Sequence, residues 1–493
     1  MTPRHEQGAG FMADGFARAS GRPACCFIVT GPGMTNITTA MGQAYGDSIP
    51  MLVISGANRC HELGMGQGRL HEISDQRALV QHVAGFSHRL LRTDELPSVL
   101  DRAFAIMESS RPRPVHIEIP IDLFSLPVDG LRTHATAPAS RPVPDQSAIK
   151  QACALLKSVR RPVLVVGGGA IGAAGNIVRL AEALNAPTTL TCNAKRLPPR
   201  SHPLLLGSYM ICSEVSAYVS DSDVVLAIGT ELGETDYGFD GDPSFSTSGT
   251  LIRIDIEAEQ TIRNAPADLA IVADAAIAVR ALLQGLEGHQ PVADGADRVK
   301  AAHANGVTHH LEPRFTRHAP ILEAMRASLD NPIIVGDSTE PVYFAMSHFN
   351  ADAPRSWFCS ATGYGTLGYA LPAAIGAKLA QPNRPVVAQI GDGGLMYTVG
   401  EMAAAVEAKT PIICLLWNNQ AFEEIKHYMV AAQVEPVGVD LHAPDFLKLA
   451  QSMGWEATHA PDVESIGGLL RAAAQRKHPS LIEVTAETFG TDR

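Results

Sequence analysis

The 493-residue chain lacks three features that mark common classes of protein. It has no apolar run of the ~18 residues that a membrane-spanning helix needs, so we expect no membrane partner. Its eight cysteines are scattered, with no CxxC pair and no metal-ligand spacing, which favours reduced thiols in a cytoplasmic protein. Acidic residues outnumber basic ones by 51 to 39, and the net charge of −12 argues against a nucleic-acid partner.

Apolar residues make up 46% of the sequence, enough for the cores of about three domains at this length. Strand and helix patterns alternate in three blocks, which predicts an α/β protein with three doubly wound parallel sheets. We expect the domains to span 1–130, 145–285 and 317–493. A Pro/Ala/Ser-rich stretch at 135–144 and a polar connector at 285–316 would link them.

Short apolar runs locate the predicted strands. They lie at 24–29, 50–54 and 115–119 in the first block, at 161–166, 224–228 and 251–256 in the second, and at 386–390 and 411–417 in the third. The second block carries three glycines at 167–169, which invite a dinucleotide interpretation. Their spacing is not GxGxxG with a following acid, so a structural turn is favoured.

The most informative segment is Gly391-Asp392-Gly393-Gly394, followed after a short interval by Asn418-Asn419. Glycines let backbone N–H groups approach phosphate oxygens, and Asp392 with an asparagine would supply hard oxygen ligands for Mg²⁺. The flanking runs are predicted to be neighbouring parallel strands, so both ligands would lie at the carboxyl edge of one sheet. The pattern favours a magnesium-diphosphate site over a plain turn.

Three further motifs accompany this one, in the order of the chain: His5-Glu6-Gln7-Gly8-Ala9, Gly31-Pro32-Gly33-Met34-Thr35-Asn36 and Gly363-Tyr364-Gly365-Thr366-Leu367-Gly368-Tyr369-Ala370-Leu371-Pro372. Together the four motifs resemble those of the thiamine diphosphate enzymes, nearest to the branch of acetolactate synthases and 2-oxo acid decarboxylases. The resemblance covers nearly the whole chain. It implies a pyrimidine-binding, a central and a diphosphate-binding domain.

The resemblance also implies roles for residues near the cofactor. Glu6 matches the glutamate that protonates the aminopyrimidine, although by itself it could be a helix-capping acid. Leu367 matches the bulky apolar residue that props the two cofactor rings apart. Gly365 matches the position whose carbonyl accepts from the pyrimidine amine.

For the metal, the resemblance implies three ligands, namely Asp392, the side chain of Asn419 and the carbonyl of Ala421. Gly391, Gly393 and Gly394, together with Asn419, would bind the diphosphate. Because the family assembles its site from the first domain of one subunit and the third domain of another, we expect a homodimer or homotetramer.

Substrate-binding positions depart from those of acetolactate synthases. Where such synthases carry a Phe-Gln pair in an early loop, this chain has His71-Glu72. Where they carry a Trp after the paired asparagines, it has Tyr428. Residues 229–236 lack the arginine that contacts flavin in those enzymes, which argues against FAD.

The predicted pocket has instead gained acid, at Glu424 and Glu72. Either carboxylate could bind a substrate guanidinium or ammonium group. Alternatively, Glu424 pairs with Lys426 or His427 on a solvated face. Residues 425–446 resemble the 5-guanidino-2-oxopentanoate decarboxylases, so we expect decarboxylation of that 2-oxo acid. An acetolactate-type carboligase and an inactive truncated paralogue stay as alternatives.

The start of the chain departs from the family, in which a strand and a helix precede the motif at His5–Ala9. In this sequence the motif begins four residues after Met1. A doubly wound domain without its opening strand would expose a sheet edge. We therefore expect the chain as written to be N-terminally incomplete, with the missing strand, helix and turn encoded upstream.

Overall fold

The computed structural model describes residues 1–128, 132, 136–137, 139–208, 210, 213–237, 245–291, 294–304 and 313–490. Parts of both predicted linkers, and Cys212, lie outside the described residues. Over the part of the chain that is described, no helix combines the length and apolar character needed to cross a membrane.

Helices and strands alternate along most of the chain. The helices are α1 (Glu6–Ser20), α2 (Pro32–Gly46), α3 (Gln76–Val80), α4 (Leu96–Ser109), α5 (Gln146–Ser158), α6 (Ala174–Leu184), α7 (Ser213–Ser220), α8 (Glu234–Tyr237), α9 (Ala275–Gly285), α10 (Gly295–Ala304), α11 (Pro313–Thr316), α12 (Ala319–Ser328), α13 (Glu340–His348), α14 (Ala370–Ala380), α15 (Asp392–Tyr397), α16 (Glu401–Glu407), α17 (Glu423–Ala431), α18 (Phe446–Ser452) and α19 (Ile466–Ala474). The strands are β1 (Ala24–Ile28), β2 (Met51–Ala57), β3 (Phe86–Arg89), β4 (Pro114–Pro120), β5 (Pro162–Val166), β6 (Thr188–Leu190), β7 (Leu205–Gly207), β8 (Val224–Ile228), β9 (Thr250–Asp255), β10 (Leu269–Val272), β11 (Ile333–Gly336), β12 (Trp357–Cys359), β13 (Val386–Gly391), β14 (Ile413–Trp417), β15 (Glu456–His459) and β16 (Ser480–Val484).

The strands form three sheets. The first has the order β1-β2-β4-β3, the central one β10-β9-β8-β5-β6-β7 and the third β12-β11-β13-β14-β16-β15. The described strand pairs are parallel. The predicted fold class, α/β with three parallel sheets, is confirmed.

The described chain forms two compact units. One comprises Met1–Ala139, Pro320–Val342 and Cys359–Arg493, and therefore holds the first sheet and the third sheet except for Trp357 and Phe358 of β12. The other comprises Ser140–Ala319 and Tyr343–Phe358, and holds the central sheet. The domain limits expected from the sequence stay predictions.

Middle strands of the sheets are buried along their whole length. Every residue of β5, β8 and β14 is buried, and all three are apolar. Continuous apolar runs are typical of parallel strands that helices cover on both faces. Each buried Val, Leu or Ile stabilises the fold by about 1.5–3 kcal/mol relative to an exposed one. The carboxyl ends of these strands are therefore rigid supports for the loops that follow them.

All eight strands predicted from apolar runs are present, each within three residues of its predicted ends. The sequence interpretation missed β3, β6, β7, β10, β11, β12, β15 and β16, which are three to five residues long. Two of them, β3 with the sequence FSHR and β15 with EATH, are largely polar edge strands. Three of the four side chains in each of these two strands are polar, so no apolar run marks them in the sequence.

Helices α1 and α14 pack with their backbones almost in contact. A Cβ atom on Gly15 would lie 2.0 Å from the carbonyl oxygen of Ala373, and one on Gly376 would lie 1.9 Å from that of Met12. No side chain fits at either position. The two glycines thus fix α1, which begins with Glu6, against the helix that follows the loop at 363–369.

Candidate active site

Glu6 is the first residue of α1 and is half-buried. His5 caps the helix, since its Nδ1 accepts the N–H of Gln7 at 3.1 Å. The Glu6 carboxylate turns instead to α2, where its Oε2 accepts a hydrogen bond from Nδ2 of Asn36 at 3.0 Å. This geometry disfavours the helix-capping interpretation, because an amide on another helix orients the carboxylate.

A second carboxylate, Glu401 on α16, fixes the backbone just before Glu6. Its Oε1 accepts the N–H groups of Arg4 at 2.9 Å and of His5 at 3.0 Å. The side chain is buried, and this burial raises its pKa. A Cβ atom on Gly8 would lie 2.5 Å from the same oxygen. The glycine of the first motif therefore leaves room for Glu401.

Glycines of the second motif set the entry to α2. Gly31 has φ +66°, and its N–H donates to Oε1 of Gln76 at 2.8 Å. A Cβ atom on Gly31 would lie 2.4 Å from the carbonyl oxygen of His71, and one on Gly33 would lie 2.7 Å from Val29. Side chains at these positions would separate α2 from β1 and from the loop that carries His71.

Asp392 follows β13 and begins α15. Its side chain is 3% exposed, and the N–H groups of Gly393 and Gln420 face its carboxylate. Over the described residues its Oδ2 has no hydrogen-bond partner. Burial raises the pKa of Asp392 to about 6, because desolvation disfavours the charged form. A buried carboxylate oxygen without a partner is costly, and a bound cation would remove that cost.

Two asparagines lie beside this carboxylate at the end of β14, which pairs directly with β13. Nδ2 of Asn418 donates to Oε1 of Glu483 at 2.7 Å, whereas its Oδ1 is buried without a partner in the described structure. Oδ1 of Asn419 lies 3.4 Å from the backbone N of Ala421. Both amide oxygens therefore belong to the loop that adjoins Asp392.

The backbone carbonyl of Ala421 takes no part in the hydrogen bonds that pair its segment with residues 439–441. Residues 420–422 pair with 439–441 through the carbonyl of Gln420 and the N–H of Phe422, each in a 2.8 Å hydrogen bond. Both bonds skip Ala421. Its carbonyl oxygen is thus a third oxygen donor in this loop.

These donors fit a small, hard cation. In the part of the chain that the structure covers, no cluster of three or more His, Cys, Asp or Glu side chains could hold a metal. The edge of the third sheet instead offers one carboxylate, amide oxygens and a carbonyl. Mg²⁺ binds such oxygens and fills its remaining positions with phosphate and water. The predicted ligands Asp392, Asn419 and Ala421 suit that arrangement.

Glycines around Asp392 permit close packing of the turn. Gly391 precedes α15 as its N-cap residue. A Cβ atom on Gly393 would lie 2.6 Å from the ring of Phe422, and one on Gly394 would lie 3.2 Å from Oδ1 of Asp337. The first N–H groups of a helix have no acceptor within it, so those of α15 can serve an anion such as a diphosphate.

Gly365 and Leu367 lie in the loop between β12 and α14. Gly363, Gly365 and Gly368 have φ of +63°, +69° and +78°, a conformation that favours glycine. Gly365 is exposed. Among the described hydrogen bonds outside helices and strands, none runs from a backbone N–H to its carbonyl. Leu367 is half-buried. Both positions suit the implied roles of a carbonyl acceptor and an apolar prop.

Asp337, which follows β11, anchors the far end of this loop. Its carboxylate accepts the N–H groups of Gly368 at 3.2 Å and of Ala370 at 3.1 Å. It is wholly buried, which raises its pKa to about 6. A Cβ atom on Gly368 would lie 3.3 Å from the carbonyl oxygen of Gly394. The loop and the glycine turn therefore meet at the same sheet edge.

The carboxylate of Glu72 forms hydrogen bonds with backbone groups of its own loop. Its two carboxylate oxygens accept the N–H groups of Arg69 at 2.8 Å and Gln67 at 3.2 Å, and these bonds lower its pKa. The residue is half-buried. Neighbouring His71 has φ +61°. The structure thus gives Glu72 a role in shaping the loop that the sequence did not indicate.

Glu424 lies in the first turn of α17 and is half-buried, with Tyr428 one turn later and 51% exposed. Lys426, one of the two partners considered for Glu424, forms an ion pair with Asp440 at 2.7 Å. Pairing of Glu424 with Lys426 is therefore disfavoured.

The glycines at 167–169, in the turn after β5, form hydrogen bonds with the backbone at the end of β8 and just after it. Gly167 donates its N–H to the carbonyl of Ile228 at 2.9 Å, and Gly169 donates to that of Gly229 at 3.0 Å. A Cβ atom on Gly167 would lie 2.1 Å from the carbonyl oxygen of Gly229. These contacts support the structural-turn interpretation of the segment.

Sequence reasoning gave no role to Asn36, Asp337 and Glu401. Asn36 belongs to one of the motifs, whereas Asp337 and Glu401 lie outside them. Contacts such as that between Arg4 and Glu401 join residues 397 positions apart. No local pattern signals such a contact.

Comparisons with known proteins identify the family of the chain. Three models of one family match the chain: the N-terminal TPP binding domain of thiamine pyrophosphate enzymes at residues 1–79, their central domain at 149–282 and their C-terminal TPP binding domain at 337–484. The chain belongs to the thiamine pyrophosphate enzymes, whose cofactor is thiamine diphosphate. The family resemblance seen in the sequence is confirmed.

Among curated relatives, the chain is 42% identical to "Probable 2-ketoarginine decarboxylase AruI" of Pseudomonas aeruginosa, over 98% of this chain and 86% of the relative. It is 31% identical to the acetolactate synthase isozyme 1 large subunit of Escherichia coli, with the same two coverages. A probable acetolactate synthase large subunit of Methanococcus aeolicus is 29% identical, over 98% of this chain and 85% of the relative. Both groups of relatives are enzymes, so the prediction of an enzyme is confirmed.

Proposed function

We propose that this protein decarboxylates 5-guanidino-2-oxopentanoate, the 2-oxo acid of arginine, to 4-guanidinobutanal and CO₂, with thiamine diphosphate and Mg²⁺. The observation that carries the substrate assignment is the 42% identity, over 98% of the chain, to a relative named for 2-ketoarginine. The departures at His71, Glu72 and Tyr428 from the acetolactate synthase pattern point the same way.

When bound, thiamine diphosphate supplies a carbon nucleophile and takes up the electrons that the departing carboxylate leaves. The protein's part is to hold and orient it. Asp392, Asn419 and the carbonyl of Ala421 would bind Mg²⁺, which links the diphosphate to the protein. The first turn of α15, with Gly393 and Gly394, would meet the phosphate oxygens.

Glu6 would hold a proton against the far nitrogen of the aminopyrimidine ring. Asn36 fixes the direction of this carboxylate, and Glu401 fixes the backbone that precedes it. Gly365 would accept from the pyrimidine amine, and Leu367 would separate the two rings. Each role uses an atom whose placement in the fold is set by contacts away from the cofactor.

Substrate choice would depend on Glu424. Both oxygens of Glu72 already accept backbone N–H groups of its own loop, whereas Glu424 lies in the first turn of α17, five residues after Asn419. A carboxylate can accept two parallel N–H bonds from a guanidinium group, and such bonds are stronger than neutral ones. A substrate with a neutral group in place of the guanidinium would gain no comparable stabilisation from the carboxylate.

The protein would act as a homo-oligomer in the cytoplasm. By analogy with the family, which assembles its site from the first domain of one subunit and the third domain of another, the smallest active unit would be a homodimer, alone or as half of a homotetramer. The seven described cysteines form no disulfide bond with one another, and five of them are buried. Reduced cysteines support a cytoplasmic location.

A carboligase of the acetolactate type is the second candidate, favoured by the 31% identity to an acetolactate synthase. The two functions differ in product. A carboligase couples two 2-oxo acids, whereas a decarboxylase releases an aldehyde from one.

A panel of three 2-oxo acids tests the proposal: 5-guanidino-2-oxopentanoate, its neutral ureido analogue and pyruvate. We expect CO₂ and 4-guanidinobutanal from the first, with a kcat/KM well above those of the other two. Acetolactate from pyruvate, with no cleavage of the guanidino acid, would move the assignment to the carboligase. Turnover without dependence on thiamine diphosphate would overturn both.

A further inference from the structure

Gln43 of α2 makes an unusual set of contacts with the loop that carries Gly365 and Leu367. Its side chain is fully buried. Nε2 donates to the carbonyl of Thr362 at 3.1 Å, and Oε1 accepts the Oγ1–H of Thr366 at 3.0 Å and its N–H at 3.3 Å. One amide therefore bonds to both ends of the turn at Gly363–Gly365.

The Gln43 amide is itself held in place. Its Nε2 also donates to Oδ2 of Asp47 at 2.9 Å, and the same carboxylate accepts from Thr362 Oγ1 at 3.1 Å. Arg18 of α1 joins Asp47 to Asp14 with two ion pairs of 2.6 Å, both buried. A buried amide with all its groups satisfied holds a single orientation. Gln43 is therefore a rigid contact.

The same helix also orients Glu6. Asn36 and Gln43 are seven residues apart on α2, which places them on one face two turns apart. Asn36 donates to the Glu6 carboxylate, and Gln43 spans the loop of Gly365 and Leu367. One rigid helix thus contacts both the proposed proton-holding carboxylate and the loop of its own chain, which in the proposed dimer would serve two different cofactor sites.

Two further hydrogen bonds lie at this end of the loop, from Ser360 Oγ to the carbonyl of Thr366 at 2.6 Å and from the N–H of Gly365 to the carbonyl of Thr362 at 3.3 Å, but neither joins the loop to α2. Three residues of the loop are glycines with positive φ, and glycine loses more conformational freedom on ordering than any other residue. Asp337 holds only its far end, at Gly368 and Ala370. Without Gln43, the segment 362–366 would lose the side chain that joins Thr362 to Thr366, and restoring its order on cofactor binding would cost affinity.

We propose that Gln43 is a positioning residue for thiamine diphosphate, which pre-orders the loop 362–368 from α2 before the cofactor binds. The inference rests on the proposed roles of Gly365 and Leu367. Because it concerns binding as well as turnover, it can be tested on the apo protein.

The test compares Gln43→Met with Gln381→Met. Methionine keeps the volume of glutamine and removes the hydrogen bonds. Gln381 is the matched control, since its Nε2 donates to the carbonyl of Ala19 at 3.2 Å, between α14 and the end of α1 and away from the loop. For each apo protein, the unfolding free energy, the dissociation constant for thiamine diphosphate with Mg²⁺ and the hydrogen exchange of residues 362–368 are measured.

We expect Gln43→Met to weaken thiamine diphosphate binding by about tenfold or more, the equivalent of one net hydrogen bond, and to speed exchange in 362–368. Gln381→Met should lose stability only. Unchanged affinity in a folded Gln43→Met protein, or equal weakening by Gln381→Met, would overturn the inference while the proposed function stands. A wild-type protein that does not bind thiamine diphosphate would overturn the proposed function first.

Should Gln43→Met fail to fold, Thr366→Val gives the same test with a smaller change. It removes the hydroxyl that donates to Gln43 and leaves the backbone N–H in place. Faster exchange in 362–368 with weaker cofactor binding would support the inference. Wild-type exchange and affinity would contradict it.

Discussion

Two glycine-rich turns follow buried parallel strands in this molecule, at 167–169 after β5 and at 391–394 after β13. In the first, glycine N–H groups donate to carbonyls of the next loop, and backbone fills the space of any side chain. In the second, a carboxylate oxygen of Asp392 and an amide oxygen of Asn418 are buried without partners in the described structure. Glycine content alone therefore does not distinguish the two turns, whereas the buried oxygens of Asp392 and Asn418 do.

The largest effect should come from Asp392→Ala. This change removes the single carboxylate at the proposed Mg²⁺ site and leaves neutral oxygens facing a strongly anionic diphosphate. We expect at least about a 100-fold loss of affinity for thiamine diphosphate, measured by calorimetric titration in Mg²⁺. Asp445→Ala is the control, because Asp445 is a half-exposed N-cap in the same domain. Retention of wild-type affinity by Asp392→Ala would remove the metal assignment.

Glu6→Gln should separate cofactor binding from chemistry. Glutamine can still hydrogen-bond to the pyrimidine but cannot stabilise its protonated form. We expect kcat to fall by about 10²- to 10⁴-fold, the usual range for a positioned proton-transfer group, with cofactor affinity near that of the wild type.

Glu407→Gln is the matched control for Glu6. It changes the same chemical group on an exposed side chain that pairs with Arg4 at 2.6 Å, close to the start of α1. Near-normal turnover by Glu6→Gln, or an equal loss in Glu407→Gln, would show that Glu6 has only a structural role.

Glu424→Gln should alter selectivity more than overall turnover. We expect the preference for the guanidino acid over its ureido analogue to fall by roughly 1.5–3 kcal/mol, the scale of a hydrogen bond to a charged group. The ratio of kcat/KM values measures it. Glu423→Gln, one position earlier in the same turn, should leave the ratio unchanged. Equal behaviour of the two variants would exclude Glu424 as the guanidinium ligand.

At the turn of the central sheet, substitution should affect stability alone. Gly167→Ala forces a methyl group against the carbonyl of Gly229, so we expect a loss of about 1–3 kcal/mol in unfolding free energy from overpacking. Thiamine diphosphate affinity should not change. Gly172→Ala, where a Cβ atom meets nothing within 4 Å, is the control. A cofactor defect in folded Gly167→Ala would break the contrast between the two turns.

Sequence patterns located the elements that carry the site. Apolar runs placed β13 and β14, and the motifs around them placed Asp392 and Asn419 on adjacent strand ends. This works because a buried parallel strand is a continuous apolar run, and because a turn at its end stays local in sequence.

The long-range hydrogen bonds that support the site could not be predicted from local sequence patterns. Gln43 and Thr366 are 323 positions apart, and Arg4 and Glu401 are 397 apart. Glu72 had been expected in the pocket, yet its carboxylate binds the N–H groups of its own loop, a local detail that charge alone does not reveal. Side-chain direction and long-range pairing depend on the folded chain.

Hydrogen exchange of the wild-type apo protein, measured with and without thiamine diphosphate and Mg²⁺, tests the contrast between the two turns most directly. The account predicts that the ligands slow exchange at 391–395, 418–421 and 363–368, and leave 167–170 and 229–230 unchanged. Slowed exchange at 167–170 and 229–230, with none at 391–395, would contradict it.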